Sequence, residues 1–182
     1  MKFCNLLVFA LCFCACATNS VIKTNTDTTE KTIPVFMTGT KQRAAFKTGF
    51  KTDNKTYNFL LLANKKEDYI NFKVIGDFAA VLVSANLRGN SFEYETLSPL
   101  FADKKTRQAF EEILIALFTP NALGKHKYYF KKGENLPYKL KQSGQVNKTF
   151  LFENYEDSIP QNIIIKAKFN LIEITLDLLA YN

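Results

Sequence analysis

The sequence lacks tryptophan and has a single histidine, His126, among its 182 residues. A zinc site built from several histidines is therefore excluded, and Ser–His or Cys–His catalysis would depend on that one residue. The motifs G-x-S-x-G and H-E-x-x-H are absent, and no glycine-rich loop opens a helix. The sequence thus disfavours a hydrolase, and we expect a protein with neither catalytic activity nor a cofactor.

Three polar features that could belong to a catalytic site are better explained as surface residues. His126 lies between two lysines at the start of a predicted strand, without a recognisable carboxylate or nucleophile partner. Two pairs of glutamates, Glu111 with Glu112 and Glu93 with Glu95, could suggest acid–base chemistry. No other polar groups visibly converge on either pair. We therefore expect His126 to be exposed and the four glutamates to lie on solvated faces.

Cysteine is absent after residue 16, which excludes a disulfide framework in the folded part of the chain. Long apolar runs are also scarce. The chain opens with Met1-Lys2, and the apolar run from 3 to 17 is broken by Asn5 alone. This run is shorter than the ~20 residues that a transmembrane helix needs, and its cationic start is typical of a secretory signal. We expect residues 1–15 to be a signal peptide.

The segment FCAC at residues 13–16 resembles a bacterial lipobox, in which a small residue precedes a cysteine that becomes acylated. Cys16 fits best because Ala15 precedes it, whereas bulky residues precede Cys12 and Cys14. The resemblance implies that Cys16 carries a lipid anchor in a bacterial membrane. The alternative is an ordinary signal peptide that is cleaved nearby.

Residues 16–35 are predicted to form a flexible tether, because they are rich in threonine and asparagine and have few large apolar groups. The whole chain has a net charge of +7. The aromatic and lysine-rich segment 128–132 could indicate nucleic-acid binding, but an alternating strand with a solvated lysine face explains it better. We expect no nucleic-acid partner, whereas lysines near a membrane would be attracted to anionic head groups.

Phenylalanine and tyrosine are abundant, with 17 and 8 residues, which favours β structure or an aromatic-lined cavity. Alternating apolar and polar residues predict about ten strands, and helical spacing predicts one amphipathic helix at 103–118 with Ser98-Pro99 and Asp103 as candidate start signals. The predicted strands are 45–51, 56–63, 69–75, 79–87 and 92–96 before the helix, and 125–131, 138–141, 150–152, 163–169 and 171–179 after it. One curved sheet around a helix satisfies this pattern, as does a barrel.

The lipobox-like signal, the tether, the order of strands and helix, and the segment Pro160 to Lys166 before an alternating last strand resemble the LolA/LolB lipoprotein-localisation superfamily. The closest likeness is to its LolB-like outer-membrane lipoproteins, over residues 40–182. The resemblance implies a mostly β, α+β fold over residues 36–182, an unclosed antiparallel β-barrel of about ten strands around the inserted helix. It also implies a role in lipid or lipoprotein trafficking at the outer membrane, with membrane lipids or lipoprotein acyl chains as partners. We expect a monomer that is anchored in the outer membrane and faces the periplasm.

Apolar side chains on the concave face of an open barrel would create a groove for acyl chains. The candidate lining residues are Phe46, Phe59, Leu61, Phe72, Val74, Val83, Tyr94 and Ile174. In the alternative, the sheet closes over its own helix, and the chain is a structural or interaction lipoprotein without a ligand cavity.

Phe78 lies in the short connection 76–80 between two predicted strands. The Gly76-Asp77 pair indicates a turn, so the ring is expected near a loop tip, where it would contact membrane or cargo. The resemblance points to the same residue, because LolB inserts an apolar loop residue into the membrane. The alternative is that Phe78 folds back onto the core.

Overall fold

The computed structural model describes residues 36, 40–51, 55–119, 125–144, 146–167 and 172–182. The predicted signal peptide, Cys16 and the tether 16–35 lie outside these residues. The strands are β1 (Arg43–Lys51), β2 (Thr56–Lys65), β3 (Ile70–Ile75), β4 (Val81–Arg88), β5 (Ser91–Leu97), β6 (Lys125–Phe130), β7 (Pro137–Ser143), β8 (Lys148–Glu156), β9 (Ile159–Ala167) and β10 (Ile172–Tyr181). A 3-10 turn covers Asp77–Ala79, and the helices are α1 (Pro99–Ala102) and α2 (Lys104–Phe118).

All ten strands belong to one antiparallel sheet, in the order β5-β4-β3-β2-β1-β10-β9-β8-β7-β6. Strands β1 to β5 form one meander and β6 to β10 a second, and the pairing of β1 with β10 joins them. Strands β5 and β6 are the two edges, so the sheet does not close. The predicted fold class, a mostly β unclosed antiparallel barrel with a helix inserted between its fifth and sixth strands, is confirmed.

The strands form where side chains alternate between a buried and a more exposed face. In β4, for example, Val83, Ala85 and Leu87 are buried, and in β8 Phe150 and Phe152 are. The buried set faces α2, whereas the opposite face of the sheet, here called the outer face, carries most of the lysines of the strands. This alternation keeps one side of the sheet apolar and the other solvated.

Both candidate start signals are used, one for each helix. The Ser98 side chain accepts a hydrogen bond from the Leu100 amide at the start of α1, and Asp103 accepts one from the Thr106 amide (2.9 Å) at the start of α2. The bond from the Thr106 backbone is the main reason that the pKa of Asp103 lies below its usual value. The two short helices thus meet at a cap rather than forming one continuous helix.

The core lies between the sheet and the C-terminal half of α2. The Phe118 ring lies 5.0 Å from the Phe72 ring, 5.6 Å from Phe36 and 6.2 Å from Phe46. The buried residues of α2 are Ile113, Leu114, Ala116, Leu117 and Phe118. None of the helices among the described residues is long and apolar enough to cross a membrane.

Candidate functional site

The eight predicted lining residues lie on one continuous face of the sheet, under α2. Five of them are 3% exposed or less: Phe46, Leu61, Phe72, Val74 and Val83. They come from the neighbouring strands β1 to β4 and pack in the same core as α2. Since Phe46, Phe72 and Val83 have no accessible surface, no water-sized space adjoins them. In this structure α2 therefore fills the position where the groove is predicted.

The other three predicted lining residues are partly buried at the margin of this core. The Phe59 ring lies 6.3 Å from Phe101 of α1, and Ile174 is a register partner of Phe50 on β1. The Tyr94 hydroxyl donates a hydrogen bond of 2.7 Å to Glu111 of α2. The structure thus places all eight residues in, or packed against, the core that the sheet shares with α2, and their contact with a ligand stays a prediction.

A polar contact also joins α2 to the sheet. The Lys148 side chain of β8 is completely buried, and its ammonium group donates to the Glu112 carboxylate and to the Val146 carbonyl (3.1 Å). The Gln142 side-chain amide lies 3.4 Å from the Glu112 carbonyl, which it faces as donor. Gly144 gives the carboxylate room, because a Cβ there would lie 2.8 Å from Glu112 Oε2. Lys148 and Glu112 therefore attach the middle of α2 to β8.

This contact corrects the expectation that the glutamates of α2 are simply solvated. Glu111 and Glu112 are only 26% exposed, and each bonds to a residue of the sheet. Burial, followed by the hydrogen bond to Glu111, raises the pKa of Tyr94 far above its usual value. The expectation failed because the periodicity of a helix does not show which residues of distant strands lie beside it, here Tyr94 and Lys148.

His126 is half-buried rather than exposed, which corrects a second expectation. Burial lowers its pKa because the charged imidazolium loses solvation. It is the register partner of Gln142, and both His126 Nε2 and Gln142 Oε1 are buried without a hydrogen-bond partner. His126 therefore lies beside the polar contact of α2, without the hydrogen-bonded carboxylate that would orient a general base.

Sequence reasoning missed Lys148 and Gln142, although a signal for both was present. Lys148 is two residues before Phe150, and Gln142 is two residues after Leu140. Alternation in a strand places residues two apart on the same face, so both polar side chains share the buried face with their apolar neighbours. Extending the alternation by one step in each strand would have placed them.

Phe78 is fully exposed, as expected for a loop tip. It has φ 56° and ψ 28°, and Ala79 follows with φ 59°. Left-handed backbone costs a residue other than glycine about 1–2 kcal/mol, so two in succession are strained. Two other exposed apolar residues are Val81, which follows the loop in β4, and Leu100 of α1. The helix α1 contacts β4. The connection 76–80, here called the Phe78 loop, thus presents an aromatic ring to its surroundings.

The first described residue, Phe36, lies at the end of the sheet opposite to this loop. The strand pairings place the β3–β4 connection at the same end of the sheet as the last residue of β1, Lys51. Phe36 instead contacts Tyr181, at the end of β10 that pairs with the start of β1 (rings 5.7 Å apart). The Phe78 loop and Phe36 are therefore separated by about the length of a strand.

Two open cavities lie away from the predicted lining residues. One, of about 390 Å³, is lined by Lys41, Glu156, Asp157, Ile159, Gln161, Leu178, Leu179, Ala180 and Tyr181. The other, of about 290 Å³, is lined by Lys131, Glu134, Leu136, Tyr138, Phe152, Glu153, Asn154 and Tyr155. Both are at the end of the sheet where Phe36 lies, and neither contains a predicted site residue.

Neither metal-binding geometry nor similarity to known proteins assigns a function. Within the described ranges, no three His, Cys, Asp or Glu side chains are grouped so that they could hold a metal ion. No protein-family model matches the chain, and the search of curated proteins finds no match. The function has to be inferred from the site itself.

Proposed function

We propose that this protein is a non-enzymatic, lipid-anchored protein of the outer membrane that binds acyl chains in lipid or lipoprotein trafficking. The observation that carries the proposal is the exposure of Phe78 in strained backbone. The backbone keeps this aromatic ring in water at a cost in strain. Transfer of the ring into an apolar environment outside the domain lowers the free energy. A bilayer or the acyl chain of a cargo provides that environment.

The predicted anchor and the Phe78 loop can serve the same bilayer, although Phe36, which follows the predicted tether, and the loop lie at opposite ends of the sheet. The longest strands have ten residues, which corresponds to about 33 Å. The roughly 20 residues from Cys16 to Phe36 extend to at most about 70 Å. The predicted tether is thus long enough for the domain to turn its Phe78 loop towards the membrane that holds Cys16.

Acyl-chain binding in this proposal requires α2 to separate from the sheet. The lining residues belong to the core that the sheet shares with α2 or pack against it, and this core is made of aromatic and aliphatic side chains. An acyl chain can replace such contacts, because each buried CH₂ group contributes about 0.8 kcal/mol without directional requirements. In this proposal the described arrangement of α2 on the sheet is the closed one.

Replacing Phe78 by asparagine tests the role of the loop. Asparagine tolerates left-handed backbone, so the melting temperature should equal or slightly exceed that of the wild type, while binding to phosphatidylcholine vesicles should weaken. Leu179→Asn is the matched control, because Leu179 is exposed at the opposite end of the sheet. Vesicle binding that is the same for wild type, Phe78→Asn and Leu179→Asn would contradict the proposal.

The second candidate function is that of a structural or interaction lipoprotein without a ligand cavity. The complete burial of Phe46, Phe72 and Val83 favours it, because the core is already filled. The two candidates differ in whether the folded domain retains lipid.

Lipid analysis of the purified domain separates these candidates. The chain from residue 17 onward lacks Cys16 and keeps every described residue, so any acyl chain found in it is bound without a covalent link. Native mass spectrometry followed by lipid extraction should find a bound acyl lipid that is lost after denaturation. A lipid-free chain that also takes up no lipid during incubation with vesicles would favour the structural role.

A further inference from the structure

Three lysines surround one tyrosine on the outer face of the sheet, at its β6 edge. The ammonium nitrogens of Lys127, Lys139 and Lys141 lie 5.2, 5.4 and 5.7 Å from the centre of the Tyr129 ring. Lys127 and Tyr129 come from β6, and the other two come from β7. We call Lys127, Lys139 and Lys141 the lysine cluster. It belongs to none of the sites described above.

The positive charge of the lysine cluster is not neutralised within the described part of the chain. Lys127 and Lys141 are register partners, and like charges directly opposite each other destabilise a sheet. Among the described residues, no carboxylate lies within ion-pair distance of any of the three. By contrast, Lys166 on the same face has its cross-strand partner Glu173 at 3.5 Å. The cluster thus maintains a repulsive arrangement that an external anion would relieve.

Apolar side chains adjoin the lysine cluster on the outer face. Leu151 of β8 is the register partner of Lys139, and Ile164 of β9 is that of Leu151. Both are partly exposed. The outer face thus combines lysine ammonium groups with a tyrosine ring and aliphatic side chains. This combination suits the boundary between the head groups and the acyl chains of a bilayer.

We propose that the lysine cluster docks the domain onto an anionic bilayer surface. Lipid phosphates supply the missing negative charge, and lysines close to such a surface each contribute measurably to binding. A single-stranded nucleic acid fits less well, because it needs exposed ring faces for stacking. The ammonium groups crowd the Tyr129 ring, and Tyr128 lies on the buried face. This docking surface is independent of the acyl-binding role proposed above.

Vesicle binding of charge variants tests the proposal. The chain from residue 17 onward is mixed with vesicles of phosphatidylcholine alone or of an equimolar mixture with phosphatidylglycerol, and bound protein is measured by sedimentation. The variant Lys127→Gln/Lys139→Gln/Lys141→Gln should lose about a hundredfold in its partition onto the anionic vesicles, which is about fivefold for each lysine. Added salt should weaken wild-type binding to the same vesicles.

The matched control is Lys47→Gln/Lys66→Gln/Lys104→Gln, which removes the same charge at three exposed positions away from the cluster. This control should retain most of the wild-type binding. The variant Lys127→Arg/Lys139→Arg/Lys141→Arg, which keeps the charge of the cluster, should do so as well. Equal losses in both glutamine variants would show that only net charge matters and would overturn the proposal. So would unchanged vesicle binding of the cluster variant, or a loss confined to binding of a single-stranded oligonucleotide. Circular dichroism melting verifies that each variant is folded.

The test also distinguishes this proposal from the acyl-binding role. The lysine cluster acts only on anionic vesicles, whereas Phe78→Asn is expected to weaken binding to uncharged ones. If the triple glutamine variant of the lysine cluster bound anionic vesicles as well as the wild type, while Phe78→Asn weakened binding to uncharged vesicles, the docking surface would be refuted. The proposed function would remain intact.

Discussion

The C-terminal end and the middle of α2 are attached to the sheet in different ways. At the C-terminal end, Phe118 contacts three other phenylalanine rings from the first meander and the segment before it. In the middle, Glu111 and Glu112 bond to Tyr94 on one edge strand and to buried Lys148 on β8 of the second meander. The aromatic end thus attaches α2 to one half of the sheet, and Glu112 attaches it to the other.

The comparison separates the strength of a contact from its specificity. Aromatic burial stabilises without strict geometry, so an acyl chain can take its place. A buried ion pair gives little net stability, but breaking it on one side is costly because a charge is left without a partner. The polar contact therefore fixes how α2 lies on the sheet, whereas the aromatic contact supplies most of the free energy that keeps it there.

The largest expected effect comes from the aromatic end. Phe118→Ala should lower the free energy of unfolding by about 3–5 kcal/mol, because it leaves a cavity among Phe36, Phe46 and Phe72. Urea unfolding measures this change. Leu179→Ala, at an exposed position, is the control and should cost well under 1 kcal/mol. A loss for Phe118→Ala as small as that of the control would show that α2 is not held by this end.

The polar contact should respond unequally to loss of its two partners. Glu112→Gln leaves the ammonium group of Lys148 buried without a counter-charge, and we expect it to cost about 3 kcal/mol. Lys148→Met removes the buried charge, while the partly exposed Glu112 can be solvated, so a loss of about 1 kcal/mol or less is expected.

Urea unfolding of both variants and of the double variant Glu112→Gln/Lys148→Met measures this asymmetry. The double variant should recover most of the stability that Glu112→Gln loses, because no charge is left in the core. If Lys148→Met proved the more destabilising single change, the net attraction of the pair would exceed the cost of burying its charges.

The sequence predicted secondary structure well because the signals involved are local. Alternation in the strands, the helix that begins after Asp103 and the turn that exposes Phe78 each depend on a few neighbouring residues. One helix was predicted, with Ser98 and Asp103 as candidate starts, whereas Ser98 begins a separate short helix, α1. The burial of His126 and the contacts of Glu112 were mispredicted, because they depend on strands that are distant along the chain. The predicted acylation of Cys16 lies outside the described residues.

Local patterns predict about ten alternating strands, a meander for the first five of them, and one amphipathic helix inserted before the others. The pairing of β1 with β10, the packing of α2 on the sheet and the ion pair between Lys148 and Glu112 emerge from the folded chain alone. So does the grouping of three lysines from two strands around one tyrosine ring. Periodicity and capping are set within a few residues, whereas strand register and helix position depend on contacts between segments far apart in sequence.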